Sequence, residues 1–292
     1  MGLFDQLKSL LDTKLNVEQR YELLREAVSG TMSSFYMARD RKTGEVVGLK
    51  ILDPAKTEFF ESRFKGLAKP SEGEIAMQME HPRIVKTLGY GVTNRGENYV
   101  LMEYLDGPGL NTLIKERSPK LVRSRLPLIR QMIEALAVVH RAGFIHRDIC
   151  PRNFICNHEV TELKLIDFGL TVPATKEFMQ PGNRTGTPNY MAPEIVRRRA
   201  TDQRLDIFSL GVTCFQVATF ELPWPSQDVT GKAAMLHDTQ EPLDVRAVRP
   251  DVHPQLAKII MECLATQPSA RPQSAEEILR ALSGLSSDTA EK

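Results

Sequence analysis

The periodicity of the sequence changes at Asp106-Gly107-Pro108-Gly109, and that change limits what the chain can fold into. Before it, YELLREAVSG, SSFYMARDR and EVVGLKIL alternate apolar and polar residues around a turn at Thr43-Gly44, which predicts three antiparallel strands over residues 21–52. IVKTLGYGV and NYVLMEYL, joined by TNRGE, predict two more. After it, LPLIRQMIEALAVVHRAG reads as a long helix closed by Gly143, with further helices expected around 205–220, 255–265 and 274–283. The expectation is an α+β, bilobal chain with a ligand cleft between the lobes. A small antiparallel-sheet lobe spans about 20–102, a hinge about 103–107 and a larger helical lobe about 108–284.

Shorter segments fill in the outline. Phe59, Phe60 and Phe64 are spaced to face inward on an irregular helix within residues 53–70. Ser71 and Glu74 form a capping-box pattern for a helix running to about Glu80, where His81-Pro82 stops it. Residues 1–19 are an extension whose start, MGLFDQLKSLLDTKL, is amphipathic: a helix docked on the first lobe, or a weak peripheral membrane contact through residues 1–15. Gly2 does not make a lipidation signal, because position 6 is Gln. Residues 285–292 are a short polar tail.

Bulk properties exclude several functions. With 292 residues, 41% hydrophobic, the chain can build one large core or two modest ones. A net charge of +1 gives no reason to expect nucleic acid as a partner. The apolar stretch IFSLGVTCFQVATF is too short to span a bilayer and reads as a buried helix, so no transmembrane segment is expected. Cys150, Cys156, Cys214 and Cys263 have no C-x-x-C spacing, which fits a reduced, cytoplasmic chain.

The residues that carry chemistry fall on both sides of the break. Asp167 follows the strand-like LKLI, and a partly buried acid there suits a hard divalent cation bound to phosphate. Upstream, Asp148 can accept a proton from a hydroxyl nucleophile, and the amide oxygen of Asn153 can ligate a second cation. Lys50 ends VVGLK and can reach α- and β-phosphates if an acid fixes its ammonium. Together these are the parts of a phosphoryl-transfer site.

VVGLK, HPRIV, VLMEYL, HRDICPRN, DFG, GTPNYMAPE and LDIFSLGV, with a late Arg271-Pro272, follow one another in this order. The chain thereby resembles a eukaryotic-type (Hanks-type) protein kinase domain of the serine/threonine class, similar to those of bacteria, over about residues 20–284. The resemblance implies ATP and Mg2+, with Mn2+ as a substitute, and protein substrates bearing Ser or Thr. It assigns the catalytic base to Asp148, Mg2+ to Asn153 and Asp167, and the nucleotide phosphates to Lys50, paired by Glu72 with Glu74 as runner-up. It makes Met102 the gatekeeper, Glu103 to Leu105 the hinge, Gly48 part of the adenine roof and Ile155 part of its floor. Thr187 should touch Asp148, Glu194 should pair with Arg271, and Asp206 should hold the catalytic loop. Arg147 either receives an activation-segment phosphate, on Thr171, Thr175 or Thr185, or pairs locally. Self-association for autophosphorylation and a role in signalling follow from the same likeness.

Six positions depart from the family pattern. The glycine loop falls on VSGTMSSF, where Gly30 is kept but Val28 and Ser33 replace glycines and Phe35 replaces the usual valine. Cys150 stands where a lysine normally meets the γ-phosphate and bridges to the activation-segment threonine. Loss of one such transition-state donor costs roughly 3 to 4 kcal/mol, so slow catalysis is expected and Cys150→Lys should raise it. Arg152 occupies a position that is often glutamate and should disfavour basic peptides, and Gly109 lacks the acid that often meets the ribose. The alternative is a pseudokinase, a nucleotide-binding or scaffold domain.

Overall fold

The computed structural model describes residues 14–29, 33–181, 185–225 and 233–286. Most of the amphipathic N-terminal stretch, Gly30 and most of the polar tail lie outside the described residues. The chain divides into two compact units, one of residues up to Glu80 with Val85–Leu105, the other of His81–Ile84 with Asp106 onward.

In the first unit, helix α1 (Val17–Arg20) leads into a five-stranded antiparallel sheet of β1 (Tyr21–Ser29), β2 (Ser33–Asp40), β3 (Val46–Leu52), β4 (Thr87–Val92) and β5 (Asn98–Glu103), in the order β1-β2-β3-β5-β4. Side chains alternate across a strand, and this sorts the sheet into two faces. Ala38, Val47 and Leu49 are buried on one face with Tyr36, Ile51, Tyr99 and Leu101 packed against them. Phe35, Gly48, Lys50 and Met102 fall on the other, where the register pairs Phe35 with Lys50 and Gly48 with Met102.

Helices α2 (Pro54–Glu61) and α3 (Glu72–Ala76) lie between β3 and β4 in the chain. Phe60 and Phe64 are buried edge to face, their centroids 5.4 Å apart. Phe59, expected to face inward, is instead 68% exposed: it falls on the outer side of α2, with the Arg63 guanidinium over its ring. The capping box of α3 is complete, with Ser71 Oγ accepting from Glu74 N and Glu74 Oε2 from Ser71 N. The helix is shorter than the expected run to Glu80, because Gln78 N and Met79 N bond three residues back and tighten the chain into turns before Pro82.

The second unit comprises α4 (Leu110–Lys115), α5 (Pro119–Arg141), the short pairs β6 (Phe144–Ile145) with β9 (Val172–Pro173) and β7 (Phe154–Cys156) with β8 (Leu163–Leu165), and α6 (Pro193–Val196), α7 (Arg204–Thr219), α8 (Val245–Val248), α9 (Pro254–Cys263) and α10 (Ala275–Leu282). Helix α5 starts at Pro119, seven residues before the expected Leu126, and runs through Pro127. A proline at the first helical position suits the start, where an N–H has no partner in any case. Helix α7 contains the apolar IFSLGVTCFQVATF up to Thr219, with Phe220 as its left-handed cap, and is buried along almost its whole length. No helix among the described residues is long and apolar enough to cross a membrane.

Candidate active site

Lys50 stands on the face of β3 opposite the sheet core and is 8% exposed. Its Nζ lies 2.6 Å from Oε1 of Glu72, the first residue of α3, itself 7% exposed. Glu74 closes the capping box instead, which separates the two candidate partners. A buried ion pair must offset the desolvation of both charges, so its geometry has to be good and its surroundings tight. Gly73 supplies part of that fit: a Cβ there would meet Tyr90 Cβ at 2.3 Å, so only glycine lets α3 seat on β4.

On the same sheet face, a Cβ on Gly48 would meet Phe35 Cζ at 2.7 Å and Met102 Cγ at 3.0 Å. The ring that replaces the usual valine occupies the space that the glycine vacates. Val28 pairs with Phe35 in the β1–β2 ladder, and Ser33 lies in β2, paired with Leu52, while Gly30 is outside the described residues. At the end of β5, Glu103 N donates to Lys86 O and Glu103 Oε1 accepts from Lys86 N at 2.7 Å. Leu105 closes the first unit.

In the second unit a loop between β6 and β7 holds Asp148. Both carboxylate oxygens are engaged: Oδ1 accepts from Thr187 N at 2.8 Å and Thr187 Oγ1 at 2.7 Å, and Oδ2 accepts from Asn153 Nδ2 at 3.0 Å. Asn153 Nδ2 also donates to Asp148 O at 2.7 Å. The amide nitrogen is thus committed to the loop, and the amide oxygen is the atom with ligating chemistry. Asn153 O accepts from Ile166 N, which ties the loop to the residue before Asp167. Asp167 Oδ1 accepts from Gly169 N at 2.8 Å, and Phe168 is buried edge-on against His146. One carboxylate and one amide oxygen are hard donors, a set suited to a divalent cation that keeps waters and shares phosphate oxygens.

The loop hangs from α7. Asp206, fully buried, accepts from His146 N and Arg147 N, each at 2.8 Å, and lies 2.9 Å from His140 Nε2. Its carboxyl would be raised by burial alone, but the hydrogen bonds and neighbouring histidines hold it below the usual range. These bonds fix Arg147 in a left-handed conformation, φ 68°, just before Asp148. Ile155 sits on β7, bridged to Gly109. A Cβ on Gly109 would meet Asn111 Oδ1 at 2.6 Å, so an amide fills the place of the missing acid. The candidate phosphosites separate by exposure: Thr171 and Thr185 are buried, and Thr175 is exposed with its hydroxyl donating to Glu177.

This pairing of a β3 lysine with a helix acid, and of a loop aspartate with an asparagine and a strand-end aspartate, has a match among known sequences. The pattern of the protein kinase domain matches residues 21–282. The chain belongs to the protein kinase domain family. It is 31% identical over 259 residues to the serine/threonine-protein kinase pkn3 of Myxococcus xanthus, covering 85% of this chain and 46% of that protein. It is 30% identical over 276 residues to PknB of Mycolicibacterium smegmatis (92% and 43%) and 28% identical over 265 residues to PrkC of Bacillus subtilis (90% and 40%). The chain therefore spans less than half the length of these relatives. The two units are the sheet-rich and helical parts of the kinase fold, and the kinase domain family in general uses ATP with a divalent metal on protein substrates.

One arrangement was not legible from the motifs. Arg152 Nη2 donates to Thr187 Oγ1 at 2.8 Å, beside the buried Cys150. The sequence placed Arg152 at a substrate-recognition position; nothing in residue spacing shows that its side chain turns back onto the activation segment.

Proposed function

We propose that the chain is an ATP- and Mg2+-dependent serine/threonine protein kinase, with Mn2+ as a substitute metal. The observation that carries this reading is the Asp148 carboxylate, held on both oxygens by Thr187 and Asn153. A group so oriented is pre-organised to take a hydroxyl proton, and general-base positioning of this kind contributes about 10²- to 10⁴-fold in rate.

In this reading Asp148 orients the substrate hydroxyl and receives its proton, and Thr187 holds the carboxylate in place from the activation segment. Asn153 and Asp167 hold the metal, which when bound neutralises charge on the phosphates. Lys50, fixed by Glu72, binds the α- and β-phosphates. The backbone of Glu103 to Leu105 takes the adenine edge behind Met102, Gly48 and Ile155 are further adenine contacts, and Val28, Gly30 and Ser33 are assigned to the nucleotide phosphates. The reading extends to a reduced, cytoplasmic setting, to self-association for autophosphorylation, and to weak membrane contact through residues 1–15.

Radiolabel transfer from ATP to the protein itself or to a generic protein, compared with Asp148→Asn, tests the proposal. Transfer to Ser or Thr that falls at least 100-fold in the variant supports it. Equal, background-level labelling by both proteins, with Mg·ATP still raising the melting temperature, would instead favour a nucleotide-binding scaffold.

A further inference from the structure

The sheet of the first unit has a groove on the face opposite Lys50, outside the proposed chemistry. Its volume is about 530 Å³. Val17, Leu23, Tyr36 and Ile51 give it an apolar lining from α1, β1, β2 and β3, and Thr93 and Asn94 line it from the β4–β5 turn. Leu23 is 45% exposed there. At the rim Arg95 pairs with Glu18, Lys56 pairs with Asp53, and Glu97 accepts from Thr93 Oγ1. These charges are matched within the groove, which leaves the apolar lining as the surface open to a partner. The chain itself enters here. Leu15 N donates to Val92 O and Leu15 O accepts from Asn94 N, each at 2.9 Å, and the Leu15 side chain packs against the same buried cluster as Tyr36 and Ile51. Leu15 is also the last member of the apolar stripe that begins with Leu3, Phe4 and Leu7 and continues through Leu10 and Leu11. Residues four apart share one helix face, so the stripe leads from Leu11 onto a surface that Leu15 already occupies.

We propose that residues 3–13 dock in this groove of their own chain, with the leucine and phenylalanine stripe on Leu23, Tyr36 and Ile51. Residues 1–13 lie outside the described part of the chain and directly precede the anchor at Leu15. Their reach fits. A helix of residues 3–13 is about 16 Å long, and the groove runs from β1 to the β4–β5 turn, three strand spacings or roughly 14 Å. Their tether favours their own chain over a second copy, because a short linker gives an effective concentration on the order of millimolar. Their charge favours protein over lipid. Lys8 and Lys14 are cancelled by Asp5 and Asp12, so the segment lacks the basic excess that draws a helix to an anionic membrane. Membrane contact through the same stripe requires its release from the groove. Ile51 follows Lys50 on β3, so the seated segment buttresses the strand that carries Lys50. The docking is independent of the kinase reading and holds whether or not the chain transfers phosphate.

The test uses the full chain in four forms: wild type, Leu11→Asp in the segment, Leu23→Asp in the groove, and the double variant. Trypsin cleavage after Lys8, followed by mass spectrometry, is normalised to a free peptide of residues 1–15 with the matching sequence. Wild type should be cut at least tenfold more slowly than its peptide, and each variant within threefold of its peptide. Melting temperature supplies a second readout that does not depend on the protease. Leu23→Asp should lower it by about 3 °C in the wild-type background and add nothing in the Leu11→Asp background, since residues in contact are coupled. Wild type cut as fast as the free peptide overturns the proposal, as do melting shifts that simply add. Protection that vanishes on hundredfold dilution overturns it in favour of a second copy in the groove. Protection that appears only with phosphatidylcholine vesicles overturns it in favour of a membrane.

Discussion

Single residues in this chain compensate for one another across strands and loops. The phenylalanine at position 35 departs from the family pattern, yet its ring fits against the missing side chain of Gly48 on one sheet face. A methyl group on Gly48 would press on Phe35 Cζ, the far end of a side chain, so relief is available by trimming that side chain. Gly48→Ala should therefore weaken stabilisation by Mg·ATP at least fivefold in apparent affinity, and Gly48→Ala/Phe35→Val should restore it. A thermal-shift titration of both variants checks this, and equal affinity in all three proteins would break the pairing. The sequence made the departure at Phe35 visible but not its connection to Gly48. Motif comparison reads positions one at a time, whereas the fit depends on register: Phe35 opposite Lys50, and Gly48 opposite Met102.

At the level of elements, the strands were the most legible part. Period-two alternation bounded by Thr43-Gly44 and by TNRGE gives their number and the pairing of neighbours in the chain, because a one-residue slip would turn every core side chain to the wrong face, whereas the β3–β5 pairing that joins the two groups carries no turn signal. Helix lengths were less legible, since helix ends depend on partners outside the segment. Helix α3 has a strong start signal in its capping box but ends after Ala76, and α5 begins seven residues before its apolar pattern suggested. What holds α3 in place is contact with β4 rather than intrinsic propensity, because five residues are far too few for an independent helix. Gly73 is the contact point. A Cβ there meets Tyr90 Cβ, an atom that every residue except glycine carries, so trimming Tyr90 to alanine cannot relieve it. Gly73→Ala should lower stability by about 1 to 3 kcal/mol and, by displacing Glu72 from Lys50, should reduce Mg·ATP stabilisation as well. Gly73→Ala/Tyr90→Ala should recover neither. Chemical denaturation and thermal shift measure the two effects, and a Gly73→Ala protein with wild-type values on both would show that α3 has slack.

Over the whole molecule, buried charge ties distant stretches of chain together. Arg271 grips both oxygens of Glu194 at 2.7 and 2.8 Å, and Asp206 on α7 holds the backbone of the loop that carries Asp148. The motifs pointed to both arrangements because they join residues that the family pattern already marks. His237 carried no such mark. It is 2% exposed, lies 2.8 Å from Met191 O through Nδ1, and packs against Phe208 and Trp224, with the Asp238–Arg197 ion pair beside it. Burial lowers its pKa below the ordinary 6.5, outweighing the Met191 hydrogen bond and the Asp238 charge. The folded chain thus keeps His237 neutral where the unfolded chain would already bind a proton, so stability falls as pH drops below about 6.5. Asp206 acts at a lower pH: its depressed value contributes stability that is complete above the ordinary 3.8 and is lost as pH falls through the lowered value. The melting temperature should accordingly decline in two stages on acidification, beginning near 6.5 and steepening below 4. His237→Gln, which keeps a donor toward Met191 but cannot titrate, should flatten the first stage and leave the second. If melting curves of the variant between pH 6.5 and 5 decline as steeply as those of the wild type, another group governs that range.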